Sequence, residues 1–176
     1  EIAHQISLAL DYIHSKGVAH LDVKPDNVLF RYPLEDETRP EAVLIDFGIA
    51  RREGKKYGLE AGALPYMPPE RLLLLRGNVA PEIEIDKTLV DVYGLGILLY
   101  KMLTGRLPFG GTSRSSITSA ILHQTPTRPS RYNHDIPPAV EDIILQALDK
   151  DPQRRPSAQM LASMLDEAMP HHDMSS

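Results

Sequence analysis

The chain has 176 residues, of which 42% are hydrophobic and 24% charged, and its formal net charge is −5. This length suits one domain with a core of its own, and the acidic balance gives no reason to expect nucleic acid or an anionic membrane as a partner. Cysteine does not occur, which excludes disulfides, thiolate metal sites and thiol nucleophiles and leads us to expect a cytoplasmic location. The longest apolar run, Val92 to Tyr100, is too short to span a bilayer and is interpreted as a buried helix.

The first part of the chain contains one amphipathic pattern and two short apolar runs. Apolar residues at helical spacing predict a helix over residues 1–16, and a loop over residues 18–26 follows it. The apolar runs at residues 28–30 and 43–45 predict a pair of strands. The acidic segment between them, residues 31–42, is interpreted as a long solvated connection.

The second part of the chain has the pattern of a helical domain. After a surface loop predicted at residues 48–62, helices are predicted over residues 69–73, 90–103, 115–124, 140–148 and 157–168. Residues 170–176 are expected to be a disordered tail, which leaves residues 1–169 as the domain. We therefore predict an α+β fold that is mainly α-helical, with one short β-hairpin.

Two short motifs have the composition of a phosphoryl-transfer site. Residues 20–27 read H-L-D-V-K-P-D-N, and their spacing provides a carboxylate for a hydroxyl proton, a lysine for phosphate charge and an amide oxygen for magnesium. Asp46 begins the triplet D-F-G directly after an apolar strand, where a carboxylate can hold a magnesium ion. The alternative for each motif is a polar loop that holds these residues by chance, and the occurrence of both in order makes chance a minor alternative.

These motifs resemble those of protein kinases, whose catalytic loop reads H-R-D-x-K-x-x-N and is followed by D-F-G. The resemblance implies that Asp22 is the catalytic base and that Lys24 contributes to catalysis by contacting phosphate. It also implies that Asn27 and Asp46 bind the cofactor ATP as ligands of its Mg²⁺ ion. Lysine two places after Asp22 resembles the serine/threonine branch. The implied fold is the large C-terminal lobe of a protein kinase, over residues 1–169.

Later segments resemble the same family in the same order. The segment that ends at Glu70 is similar to the end of the kinase activation loop, and the resemblance implies a buried ion pair between Glu70 and Arg155. Asp91 is implied to anchor the catalytic loop backbone by hydrogen bonds, and a helix-start carboxylate is a compatible alternative. His20 is implied to pack against the D-F-G turn, whereas His14 is interpreted as a surface residue or as one satisfied within its helix.

The sequence also departs from the family pattern. Leu21 makes the chain a non-RD variant, because the usual arginine there meets a phosphate on the activation loop and leucine cannot. We therefore hypothesise activity that is independent of activation-loop phosphorylation. Ala63 replaces a threonine that helps to hold Asp22 and Lys24. Segment 31–42 is read as a solvated loop rather than a docking surface.

The glycine-rich loop, strand lysine and partner glutamate that cover the nucleotide in the family do not appear in this sequence. The natural start is expected to lie upstream of Glu1 or to have been removed. We therefore expect that an N-terminal lobe is needed in cis and that these residues alone transfer little phosphate.

Three functions compete at this point. The leading one is ATP- and magnesium-dependent phosphorylation of serine and threonine hydroxyls in protein substrates. A pseudokinase or scaffold binding module is the alternative that Leu21, Ala63 and the missing lobe favour. The retained residues Asp22, Lys24, Asn27 and Asp46 oppose it. A small-molecule phosphotransferase of kinase-like fold is the third, and the resemblance around Glu70, Asp91 and Arg155 argues against it.

Overall fold

The computed structural model of the chain describes residues 1–31, 40–46, 64–77 and 85–168. Several predictions concern residues outside these ranges: Phe47, Gly48, Ala63, most of the connection 31–42, the loop 48–62 and the tail 170–176.

The described residues form a helical lobe with one small sheet. The helices are α1 (Ile2–Ser15), α2 (Pro69–Leu75), α3 (Lys87–Thr104), α4 (Arg114–His123), α5 (Pro138–Ala147) and α6 (Ala158–Ala168). The strands are β1 (Val28–Phe30) and β2 (Ala42–Leu44). Single turns of 3-10 helix lie at Pro25–Asn27, Leu64–Tyr66, Pro129–Arg131 and Pro152–Arg154. The predicted fold class, α+β and mainly α-helical with a short hairpin, is confirmed.

The boundaries differ from the predicted ones where polar contacts extend an element. Ala42 was assigned to the connection, but it begins β2, because it pairs with Phe30 and its N–H donates to Gln5 Oε1 at 2.7 Å. Helix α3 begins at Lys87 rather than residue 90, because the side chain of Asp86 accepts a hydrogen bond from the N–H of Thr88 at 2.9 Å and caps the helix.

Helix α3 forms the centre of the lobe. Every residue of α3 from Val90 to Tyr100 is buried, as expected for a helix segment that is apolar on nearly all sides. The helix packs against α1, α5 and α6. Two glycines allow close approach to its neighbours. A Cβ at Gly94 would lie 3.0 Å from Val23 Cβ, and one at Gly96 would lie 2.9 Å from Ala147 Cβ. Because Val23 lies between the predicted catalytic residues, Gly94 brings the site directly against the central helix.

Helix α1 and the small sheet complete the surroundings of the site. Helix α1 packs against α6, α3 and β2, and the predicted catalytic loop follows its C-terminal end. The strands are antiparallel, with Val28 opposite Leu44 and Leu29 opposite Val43. None of the described helices has both the length and the apolar character needed to cross a membrane.

Tyr93 in α3 has a buried hydroxyl that finds no hydrogen-bond partner within the described part of the chain. Burial raises the pKa of Tyr93, the charge of Arg155 opposes this and that of Glu70 adds to it. An unsatisfied buried polar group costs about 1–3 kcal/mol. We therefore expect Tyr93→Phe to increase the free energy of unfolding by about 1 kcal/mol, measured by chemical denaturation of the full-length protein.

Tyr100 is the matched control for this prediction. It lies two turns further along the same helix, but its hydroxyl donates a hydrogen bond to Thr127 O at 2.9 Å. Tyr100→Phe is therefore expected to destabilise the protein by about 1 kcal/mol. A Tyr93→Phe protein less stable than the parent would show that the Tyr93 hydroxyl has a partner.

Candidate active site

The loop after α1 brings three of the predicted site residues into direct contact. Lys24 Nζ lies 2.8 Å from Asp22 Oδ2, and Asn27 Nδ2 donates hydrogen bonds to the same oxygen at 2.9 Å and to the backbone carbonyl of Asp22 at 2.8 Å. The side chains of Asp22 and Lys24 are each 13% exposed. Among the described residues both of these side-chain contacts fall on Oδ2, which leaves Oδ1 as the oxygen that a further hydrogen-bond donor could reach.

Asn27 is held in a fixed orientation. It ends the 3-10 turn Pro25–Asn27, its N–H donates to Lys24 O at 3.0 Å, and its side chain is buried. Since the amide nitrogen donates both of its hydrogen bonds to Asp22, the amide oxygen is the atom left to bind a cation. Amide and carboxylate oxygens are the ligands that Mg²⁺ prefers in proteins.

The hairpin places Asp46 close to Asn27. The backbone N–H of Ile45 donates to Asn27 O at 2.9 Å, and Ile45 O lies 2.9 Å from His20 Nε2. Asp46 follows with φ = 63°, a left-handed conformation that aspartate tolerates better than most residues. The two predicted metal ligands therefore lie at the same end of the hairpin. Any contact of His20 with Phe47 or Gly48 falls outside the described residues.

Asp91 anchors the loop that carries Asp22, as predicted. Its fully buried carboxylate accepts hydrogen bonds from the backbone N–H of His20 at 2.8 Å and from that of Leu21 at 2.6 Å. His14 Nε2 lies 2.8 Å from the same carboxylate. His14 is therefore not a surface residue, but a histidine of α1 whose ring is satisfied by a distant carboxylate. The contact joins positions 77 residues apart, and local sequence carries no signal for it.

The ion pair between Glu70 and Arg155 is also confirmed. Two guanidinium nitrogens of Arg155 donate to the two carboxylate oxygens of Glu70 at 2.7 and 2.9 Å. Arg155 donates further to Leu89 O at 3.0 Å and to Asp149 O at 2.8 Å, and its side chain is fully buried. This arginine therefore fixes the first turn of α2 to α3 and to the loop before α6.

Arg71 and Leu29 lie in a predicted helix and a predicted strand, and neither was expected to belong to the site. Arg71 Nη1 donates a hydrogen bond to the backbone carbonyl of Leu21 at 2.6 Å. Leu29 lies two residues after Asn27 and is 53% exposed, so the hairpin presents an apolar surface next to the predicted metal ligands. The apolar run predicted the strand, but neither the exposure of Leu29 nor the contact of Arg71 with Leu21 could be predicted from it, because both depend on distant parts of the chain.

This arrangement of a helical lobe, an anchored polar loop and a short hairpin defines a kinase-like fold. The crystal structure of the Rad53 kinase domain and SCD2 in complex with AMPPNP matches the whole chain with a TM-score of 0.76 at 27% identity, and the chain covers 61% of it. The autoinhibited serine kinase domain of titin has the same TM-score of 0.76 at 24% identity, over 93% of this chain and 47% of that one, which shows the fold alone.

Sequence comparison identifies the family. Residues 1–165 match the family described as Protein kinase domain, and the chain therefore belongs to the protein kinase family, which is a family of enzymes. It is 32% identical to the serine/threonine-protein kinase RAD53 of Saccharomyces cerevisiae, over 90% of this chain and 20% of that protein. It is 39% identical to the serine/threonine-protein kinase PkaA of Streptomyces coelicolor, over 90% of this chain and 27% of that protein.

Proposed function

We propose that residues 1–169 are the catalytic lobe of a serine/threonine protein kinase, which transfers the γ-phosphate of ATP to hydroxyl groups of protein substrates. The observation that carries this proposal is the contact of Asp22 with both Lys24 and Asn27, at the end of the hairpin that presents Asp46. The names of the relatives RAD53 and PkaA support the serine/threonine class. The AMPPNP in the similar Rad53 structure supports ATP as the nucleotide.

Asp22 would align the acceptor hydroxyl and accept its proton. Lys24 holds one oxygen of this carboxylate, and its charge lies where it would also offset negative charge on the transferred phosphoryl group. Because Asp91 fixes the two backbone N–H groups that precede Asp22, the carboxylate is positioned before substrate arrives. Positioning of this kind lowers the barrier without any conformational cost at the moment of reaction.

Asn27 and Asp46 would hold Mg²⁺ together with the nucleotide. Their oxygen atoms fit a hard cation, and Mg²⁺ in phosphotransferases usually takes only one or two protein ligands, with phosphate and water oxygens completing its shell. When bound, the ion neutralises charge on the phosphates. The exposed Leu29 would give the nucleotide an apolar contact on the floor of the same site.

A second lobe would complete the site. The described residues provide the floor, and phosphoryl transfer needs a nucleotide that is clamped and shielded from water. The chain spans only 20% of the length of its relative RAD53 and 27% of the length of PkaA. We propose that a nucleotide-covering lobe acts in cis in the full-length protein, with protein substrates as the partners.

The test is phosphorylation of a peptide array by the full-length protein, before and after treatment with a phosphatase that is then removed. With ATP and Mg²⁺, serine and threonine peptides should be labelled and tyrosine peptides should not, and EDTA should abolish the labelling. The initial rate should be the same after phosphatase treatment, because Leu21 cannot pair with an activation-loop phosphate.

Each arm of this experiment tests a different part of the proposal. Labelling of tyrosine peptides alone would overturn the substrate class, and loss of activity after phosphatase treatment would overturn the independence from phosphorylation. An unlabelled array, together with no heat on titration with Mg²⁺ and ATP, would instead support the scaffold function.

A further inference from the structure

The backbone of Leu21 is held in an unusual conformation directly before Asp22. Its φ is 67°, in the left-handed region that residues with a Cβ rarely adopt, because the Cβ there lies too close to the following carbonyl oxygen. Such conformations persist where the surrounding contacts determine them fully. The direction in which the chain leaves Leu21 sets the position of the Asp22 carboxylate.

Two charged side chains hold the backbone of Leu21, one at its N–H and the other at its carbonyl. The carboxylate of Asp91 accepts from its N–H at 2.6 Å, and the guanidinium of Arg71 donates to its carbonyl at 2.6 Å. Hydrogen bonds with an ionised partner are roughly twice as strong as those between neutral groups. Both polar groups of this one residue are therefore held by charges, which accounts for the persistence of its left-handed conformation.

The position of Arg71 is fixed because that of Glu70, the residue before it, is fixed. Glu70 forms the two-fold hydrogen-bonded pair with the fully buried Arg155, and this pair sets the position of the first turn of α2. Arg71 then extends from that turn to the carbonyl of Leu21. A series of hydrogen bonds therefore links Arg155, through the first turn of α2, to Leu21, the residue before Asp22.

We infer that Arg71 is a positioning residue for phosphoryl transfer, acting on Asp22 through the backbone carbonyl of Leu21; this inference rests on the proposed function. The hydrogen bond joins the guanidinium of Arg71 to a backbone carbonyl. It therefore forms without phosphorylation of the chain. Removal of the guanidinium lets the catalytic carboxylate move while leaving its chemistry intact. A misplacement of about 1 Å can lower a rate by about a hundredfold.

Substitution of Arg71 should leave the fold intact. Arg71 and Leu21 border a cavity of about 900 Å³, together with Leu74, Leu75 and Val90. We therefore expect water to take the place of the guanidinium at the Leu21 carbonyl, so that the carbonyl keeps a hydrogen-bond partner in the variant. A fall in kcat in an Arg71 variant can then be distinguished from a fall in the amount of folded protein.

The test compares three variants of the full-length protein. Arg71→Met removes the donors and keeps most of the length of the side chain, Arg71→Lys keeps one charged donor, and Arg76→Met is the control, since Arg76 is exposed at the end of the same helix. We expect kcat to fall about ten- to a hundredfold in Arg71→Met, with KM for ATP changed less than about twofold, partial recovery in Arg71→Lys and parental values in Arg76→Met.

Amide hydrogen exchange provides a readout that does not require activity. The amides of Leu21 and Asp22 should exchange at least about tenfold faster in Arg71→Met than in Arg76→Met. Equal kcat and equal exchange in these two variants would overturn the inference, as would a loss of thermal stability in Arg71→Met with kcat per folded molecule unchanged. A parent protein that labels no peptide would overturn the proposed function instead, and the exchange rates would still decide whether Arg71 fixes the loop.

Discussion

Replacement of Asp22 by asparagine in the full-length protein is expected to lower kcat by about two to four orders of magnitude. The amide has the same shape and can still accept the hydrogen bond from Asn27 Nδ2, which the parent carboxylate accepts at 2.9 Å. It cannot accept a proton from the substrate hydroxyl, and it removes the negative partner of Lys24, whose Nζ lies 2.8 Å away in the parent. The loss should therefore appear in the chemical step.

Nucleotide binding separates this role from a general disturbance of the site. The proposed ligands of the ion, Asn27 and Asp46, are unchanged in Asp22→Asn, so the Kd for ATP with Mg²⁺, measured by calorimetry, should stay within a few-fold of the parent. Asp26→Asn is the matched control, because it makes the same chemical change at an exposed position of the same loop. Turnover in Asp22→Asn equal to that in Asp26→Asn would refute the assignment of the base.

The contacts among Asp22, Lys24 and Asn27 could be expected from the sequence, because one contiguous loop holds all three residues. Asp22, Lys24 and Asn27 fall within six positions, and their spacing alone indicated phosphoryl transfer. Asp46 follows the second of the two apolar runs that were predicted to pair, and the observed pairing of Val28 with Leu44 brings the chain back beside Asn27.

Long-range polar contacts could be predicted only where a family resemblance supplied them. The pair of Glu70 with Arg155 joins positions 85 residues apart and was predicted because both positions match family motifs. His14 with Asp91, and Arg71 with Leu21, are separated by 77 and 50 residues, and neither follows from periodicity or local composition. The reason is physical, since hydrophobic patterns determine which face of a helix is buried but not which polar side chain at its edge meets a distant backbone group.

Removal of Arg155 is expected to have the largest effect on stability. Arg155→Met leaves the Glu70 carboxylate, which is only 13% exposed, without its partner, and it also leaves the carbonyls of Leu89 and Asp149 without their donor. Loss of one partner of a buried ion pair costs about 3–5 kcal/mol. We expect the free energy of unfolding of the full-length protein, measured by chemical denaturation, to fall by this amount.

The neighbouring Arg154 is the control for this effect. Its ion pair with Asp151 has a distance of 3.7 Å, and its side chain is 74% exposed. Exposed pairs contribute about 0–1 kcal/mol, so Arg154→Met should leave stability nearly unchanged. If the free energy of unfolding fell equally in Arg154→Met and Arg155→Met, the positive charge of this region, rather than the buried ion pair, would be what stabilises it.

A double variant distinguishes the cost of an isolated charge from the value of the pair itself. In Glu70→Gln with Arg155→Met, no charge of the pair remains buried, so the combined loss should be smaller than the sum of the two single losses by about 1–3 kcal/mol. The remaining loss reports the hydrogen bonds to Leu89 and Asp149. In the double variant the first turn of α2 is no longer held by Arg155, and this turn also carries Arg71. The folded fraction of the double variant should therefore still show a reduced kcat. Strictly additive losses would show that Glu70 and Arg155 stabilise the lobe independently.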